Sequence, residues 1–150
     1  MSARLAGRVR ESDTPRAAFL DTSGWFAALS PHESGHAAAK AIYRQWMEGD
    51  TVLVTTNLVV AEMQILLARA RGSEFAVEFL DSLYQDAAHE VVFVDRDLEH
   101  AAMDRWLRPF TDQKFSLADA VSFELMRDRR IRDALALNQH FSVAGFRALP

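Results

Sequence analysis

The stretch Ala17-Ala18-Phe19-Leu20-Asp21-Thr22-Ser23 is a short apolar run that stops at a carboxylate, followed by two hydroxyls and Gly24. A run of that length, closed by polar residues and a glycine, predicts a buried strand. In an open α/β sheet, ligands gather outside the carboxyl ends of the strands, which places Asp21 where chemistry happens. Other acids matter insofar as they reach the same edge.

Residues 22–29 predict a short helix closed by Ser30-Pro31, and residues 33–47 an amphipathic one with Ala37, Ala41, Ile42 and Trp46, stopped by Gly49-Asp50. The β-branched run at 51–55 predicts the second strand. Asn57 is the expected N-cap of a helix over 58–70 that ends at Gly72. That helix is apolar nearly all round, which predicts burial. Its exception, Glu62, falls in a stripe with Leu58, Ile65 and Leu66, so its carboxylate is expected to face inward or into a cleft and to need a partner.

Ser73 is the expected cap of the next helix, whose core stripe is Phe75, Phe79, Leu80 and Leu83. Residues 89–94 predict a third strand, with Asp95 and Asp97 read as caps of a helix over 98–107 ended by Pro109. Ser116 stands three residues before Asp119, the capping-box spacing, which sets Asp119 in the first turn of a helix. A helix N-terminus holds a carboxylate ionised and fixed in direction, as a metal ligand must be, although the same spacing serves a plain cap. The helix ends in Arg127, Arg129, Arg130 and Arg132, read first as a solvated terminus favoured by the dipole and second as an RNA phosphate contact. Residues 134–137 predict a strand leading to Asn138, and residues 146–149 a short edge strand. Strands alternating with helices predict an α/β fold with a parallel sheet of four or five strands and helices on both faces.

The chain of 150 residues carries 17 basic and 21 acidic side chains, a net charge of −4. Residues 1–16 hold Arg4, Arg8, Arg10 and Arg16 against Glu11 and Asp13 and are read as a basic, disordered extension; the domain is 17–150. The body is acidic, so any polyanion must be met by local arginines or by metal ions rather than by bulk charge. Cysteine is absent, which excludes disulfides and thiolate metal sites and permits a reducing compartment; the cytoplasm is the expected location. No apolar run approaches the ~18 residues of a membrane span, so no membrane role is expected. His32, His36, His89 and His100 lack ligand spacing and are assigned to the surface, while Trp25, Phe26 and Trp46 are assigned to the core.

At the carboxyl edge of such a sheet, Asp21, Glu62, Asp119 and Asn138 form an oxygen-only set suited to Mg²⁺ or Mn²⁺. With no cysteine and no Gly-x-Ser-x-Gly elbow, metal-activated water acting on a phosphodiester is the reaction class that fits. Phosphatases of the haloacid-dehalogenase type need a second aspartate where Ser23 stands, and receiver domains a lysine after the last strand, which is lacking.

Phe19-Leu20-Asp21-Thr22-Ser23, Asn57 to Glu62, Asp112 with Phe115 to Phe123, and His140-Phe141 with Gly145-Phe146 together resemble the PIN-domain nucleases, most of all the VapC-type toxins of toxin–antitoxin pairs. The resemblance spans residues 17–150. It implies a three-layer α/β/α fold, often a homodimer, and Mg²⁺- or Mn²⁺-dependent cleavage of RNA, blocked by a cognate antitoxin. Asp21, Glu62 and Asp119 match the family's metal-binding acids. Asn138 stands where an aspartate is frequent; its amide oxygen can still ligate but brings no charge, so a second ion should bind more weakly. Ser116 matches a hydroxyl near the site and Thr22 is similar to it, though each also fits a cap. The implied mechanism is in-line attack of an oriented water on an RNA phosphate, leaving a 3′-hydroxyl and a 5′-phosphate. The alternative is a PIN-like RNA-binding or protein-interaction module weakened by the loss of the fourth acid at Asn138.

Overall fold

The computed structural model describes residues 15–150, so the extension expected at 1–16 lies almost wholly outside the described residues. Five strands, β1 (Ala17–Leu20), β2 (Val52–Thr56), β3 (His89–Val92), β4 (Asp133–Leu135) and β5 (Arg147–Leu149), form one parallel sheet in the order β3-β2-β1-β4-β5. Among the described residues seven helices flank it: α1 (Thr22–Leu29), α2 (His36–Glu48), α3 (Asn57–Arg71), α4 (Ser73–Gln85), α5 (Arg96–Ala102), α6 (Leu117–Arg129) and α7 (His140–Val143). The result is the expected three-layer α/β/α arrangement. Among the described residues, no helix is long and apolar enough to cross a membrane.

The chain leaves β1 toward β2 and β3 on one side and returns to β4 on the other. Right-handed crossovers running in opposite directions along the sheet lie on opposite faces, and a crevice opens where they part, at the carboxyl ends of β1 and β4. Two backbone details close that seam. The Asp21 N–H donates to the Leu135 carbonyl at 3.1 Å. Gly24, in the first turn of α1, lies so close to β4 that a Cβ there would stand 2.4 Å from the Leu135 carbonyl carbon and oxygen.

The core is built on Phe19, Trp25, Phe123 and Phe141, all fully buried, with Phe123 edge-on to Phe141 at 4.9 Å between centroids. Helix α6 is buried without a break from Asp119 to Met126, including Glu124. That acid accepts from Arg105 Nε at 2.9 Å and Trp106 Nε1 at 3.0 Å. Both donors sit in a π-helical turn, Met103–Leu107, that continues α5. A π turn re-aims neighbouring side chains, and here two consecutive ones converge on the same carboxylate.

Several local expectations change. The N-cap of α3 is Thr56, whose hydroxyl accepts from the Val59 N–H, while Asn57 accepts from the Val94 N–H at 2.8 Å and ties the helix start to the chain after β3. Gly72, with φ of 94°, caps α4 in place of Ser73. Helix α2 starts at His36 behind Gly35, whose φ is 81°, rather than at residue 33. Helix α5 begins two residues early, at Arg96, with Asp95 as the cap, accepting from Leu98 N–H at 2.8 Å. His89 is not a surface residue. Its Nε2 shares a hydrogen bond with Tyr43 Oη at 2.6 Å, its Nδ1 lies 3.3 Å from Asp86, and burial lowers its pKa, so it is a neutral core histidine.

Candidate active site

Asp21 caps α1 as well as ending the β1 seam: Oδ2 accepts from the Ser23 N–H at 3.2 Å and from the Ser23 hydroxyl at 2.5 Å. The Ser23 hydroxyl in turn accepts from the Leu137 N–H at 2.9 Å, so one serine fixes the carboxylate against the chain leaving β4. Asp21 is only 6% exposed. Burial, opposed by the Ser23 hydroxyl and reinforced by the charges of Asp119 and Glu62, pushes its carboxyl up to about 6. The charges of two other acids thus reach Asp21 across the crevice.

Asp119 and Ser116 form the expected capping box, with both reciprocal bonds at 3.0 Å. The same Oδ2 of Asp119 also accepts from His140 Nδ1 at 2.7 Å. A carboxylate oxygen accepts, so this bond takes the His140 tautomer with its hydrogen on Nδ1. The serine hydroxyl is taken up by the cap, and the aspartate serves both the cap and the cleft.

Glu62 takes the second of its two expected placements, the cleft, on a helix less covered than its apolar sequence predicts. Helix α3 buries Val59, Val60, Met63 and Leu67, and leaves Glu62 exposed with Ile65 at 48% exposure. An apolar circumference does not guarantee cover on every side when the helix belongs to an outer layer. Glu62 instead lies at the rim of the crevice, where Oε2 accepts from the Thr22 hydroxyl at 2.7 Å. Thr22 is therefore the partner that the carboxylate needed.

Asn138 is oriented by contacts at both ends. Its Nδ2 donates to Asp21 Oδ2 at 3.2 Å, and its Oδ1 accepts from the His140 N–H at 3.1 Å. Turning the amide over would set oxygen against carboxylate and NH₂ against N–H, so this orientation is fixed. The residue acts here as a donor to Asp21, and its oxygen is used by the backbone. An aspartate in this place would add a fourth negative group beside a buried one.

Among the described residues, no three His, Cys, Asp or Glu side chains stand close enough together to enclose an ion. The donor chemistry nonetheless fits a hard cation. Every hydrogen bond to Asp21 and Asp119 falls on Oδ2 and the one to Glu62 on Oε2, which leaves Asp21 Oδ1, Asp119 Oδ1 and Glu62 Oε1 without a partner among the described residues. Each acid is held by one oxygen and offers the other. His140 and Ser23 are the two site residues that the sequence reading left without a role. His140 stood in the quoted pair His140-Phe141, next to Phe141 in the core, and that adjacency was the available signal.

A five-stranded parallel α/β/α domain with acids just past β1, in the second turn of α3 and in the first turn of α6 defines a class: a model of the PIN domain matches residues 18–146, and the chain belongs to the PIN-domain family. Within it the chain is VapC-type. It is 35% identical over 128 residues to the 23S rRNA-specific endonuclease VapC20 of Mycobacterium tuberculosis, covering 85% of this chain and 94% of the relative. The crystal structure of VapC20, described as a sarcin–ricin loop cleaving toxin, superposes with a TM-score of 0.75 over 86% of this chain and 95% of that one. FitAcB from Neisseria gonorrhoeae, at 14% identity, shares the fold with a TM-score of 0.64 over 89% of this chain and 96% of that one.

Proposed function

We propose that this protein is a divalent-metal-dependent endoribonuclease that hydrolyses RNA phosphodiester bonds, and that it is the toxin of a toxin–antitoxin pair. The observation that carries the reading is the trio of acids, each anchored by one oxygen with the other unpartnered among the described residues, around a carboxyl raised to about 6. Asp21, Asp119 and Glu62 would hold Mg²⁺, or Mn²⁺ in its place, and that ion supplies an activated water and neutralises charge on the phosphate. Asn138 and Ser23 hold Asp21 in direction. His140 and Ser116 do the same for Asp119, and Thr22 for Glu62. Orienting partners of this kind fix ligand geometry, and losing one costs roughly 10- to 100-fold in metal affinity or activity.

RNA is the proposed substrate class, and the named target of VapC20, 23S rRNA at the sarcin–ricin loop, is the first RNA to try. An antitoxin covering the crevice, a homodimeric assembly and a cytoplasmic location complete the proposal and rest on family membership. The test is cleavage of that RNA and of unrelated structured RNA with Mg²⁺, Mn²⁺ or EDTA, with the products mapped at their ends. Activity is expected with either metal and none with EDTA, leaving 3′-hydroxyl and 5′-phosphate ends. Equal cleavage in EDTA would refute the metal-dependent reading.

Asn138→Asp separates a ligand from an orienting donor. The substitution replaces a donor to Asp21 with a charge, so metal-free protein should lose stability at neutral pH while divalent ions bind more tightly and cleavage rises. A calorimetric Mg²⁺ titration reads the gain in ion affinity, and an unchanged isotherm would show that position 138 does not face the ion.

A further inference from the structure

The site uses none of the arginines gathered at the other edge of the sheet. Arg16 precedes β1, Arg132 precedes β4, Arg147 opens β5, and Arg127, Arg129 and Arg130 end α6. These positions sit at the amino ends of parallel strands, and strands of 3 to 5 residues at about 3.3 Å per residue set them roughly 10–16 Å from the acids. All six are exposed. They line two adjoining hollows, of about 770 and 460 Å³, that share Arg130, Arg132 and Arg147.

Helix-dipole compensation accounts for Arg127, Arg129 and Arg130, at the end of α6. It does not account for Arg16, Arg132 and Arg147, which belong to strand starts. Pairing does not account for the group either. Arg129 meets Glu90 at 2.6 Å, Arg147 meets Asp133 at 3.5 Å and Arg127 meets Asp128 at 3.6 Å, but Arg16, Arg130 and Arg132 make no salt bridge among the described residues. A chain with a net charge of −4 thus concentrates surplus positive charge on one edge. The wall of the larger hollow includes half-buried Trp106 and Phe146, ring centroids 6.1 Å apart. Guanidinium groups beside a partly open aromatic face suit a nucleotide strand, with phosphates on the arginines and a base against the rings.

We infer that this groove is an RNA-holding exosite, which grips the phosphate backbone of the substrate at a distance from the scissile bond. The inference rests on the proposed nuclease reading for the identity of the polyanion. Contact of this kind is independent of sequence, sets affinity and register, and leaves the chemistry to the acids. It also lets a net-acidic protein approach RNA whose reacting phosphate must sit among carboxylates.

The test measures binding of full-length protein to labelled poly-uridine and to a labelled RNA hairpin, in EDTA, across a range of NaCl. The double variant Arg130→Ala/Arg132→Ala is expected to bind both RNAs about tenfold more weakly, with a log–log salt slope shallower by about two, one for each lost phosphate contact. Arg130→Lys/Arg132→Lys should restore the slope, which a misfolded protein would not do, and Arg44→Ala on α2 should match wild type. Unchanged affinity and slope in the alanine double variant would overturn the exosite, as would poly-glutamate displacing RNA as strongly as unlabelled poly-uridine does, since that marks a site for acidic protein. The two readings fail separately. Groove-dependent binding without cleavage in Mg²⁺ would sink the nuclease and keep the exosite, whereas cleavage by a double variant that binds like wild type would sink the exosite alone.

Discussion

Asp21→Asn is expected to abolish cleavage and, in the absence of metal, to make the protein more stable. The loss of activity follows from the proposed ligand role: removing a charged metal ligand forfeits several kcal/mol or so of transition-state stabilisation, about 100-fold in rate or more. The gain in stability follows from burial. A carboxyl whose pKa rises from 3.8 unfolded to about 6 folded binds its proton more tightly in the native state. Native stability is then unaffected by this group below about pH 4 and declines as the pH climbs through 6, by about 3 kcal/mol in all. Asparagine keeps the cap and carries no charge to desolvate. Thermal melts in EDTA at pH 7.5 should therefore show the variant melting several degrees above wild type, with the difference vanishing near pH 4. Saturating Mg²⁺ should narrow it, because an ion that binds only the folded wild type stabilises it by mass action. A variant that melts lower in EDTA at pH 7.5 would mean that Asp21 is a structural cap and no more.

The parts of this site that were legible in the sequence are those set within a few residues. The stop of β1 at Asp21, the capping box of Ser116 and Asp119, and the alternation that gives a parallel sheet are all local patterns, and local patterns survive folding when tertiary packing agrees with them. Glu62 was legible as an acid that faces the core or a cleft and needs a partner, but only the packing of α3 decides between the two. Asn138 shows the same limit in finer grain. Its residue type allows either a ligand oxygen or a donor NH₂, and the choice is made by Asp21 and the His140 N–H, 117 and 2 residues away. His140 reaches Asp119 only through the turn after β4, and His89 becomes a core residue because Tyr43 and Asp86 flank it. Long-range partners of this kind leave no trace in spacing.

A second large effect is expected at a residue with no side chain. Gly24→Ala should lower the stability by about 3 kcal/mol or more and lower activity in whatever protein still folds. The added methyl would stand 2.4 Å from the carbon and oxygen of Leu135 and 2.7 Å from the Ala136 nitrogen, all backbone atoms of or beside a central strand that cannot rotate away. Over-packing against mobile side chains costs roughly 1–3 kcal/mol, and a rigid obstacle sits at or above the upper end. Relief requires α1 to lift from β4. The groups on that seam are the Asp21 N–H on Leu135, the Ser23 hydroxyl on the Leu137 N–H, and Asn138 on the Asp21 carboxylate. Lifting α1 therefore carries Asp21 away from Asn138 and from the helix that bears Asp119, so the damage should appear as a loss of turnover and of divalent-ion affinity beyond that explained by the unfolded fraction. At roughly 2–4 °C per kcal/mol for a chain of this size, the melting midpoint should fall by about 10 °C. An alanine variant with wild-type melting and wild-type Mg²⁺ affinity would mean that the seam between α1 and β4 is looser than a 2.4 Å approach allows. Gly24→Ser should be no better tolerated, since its obstacle is the Cβ itself.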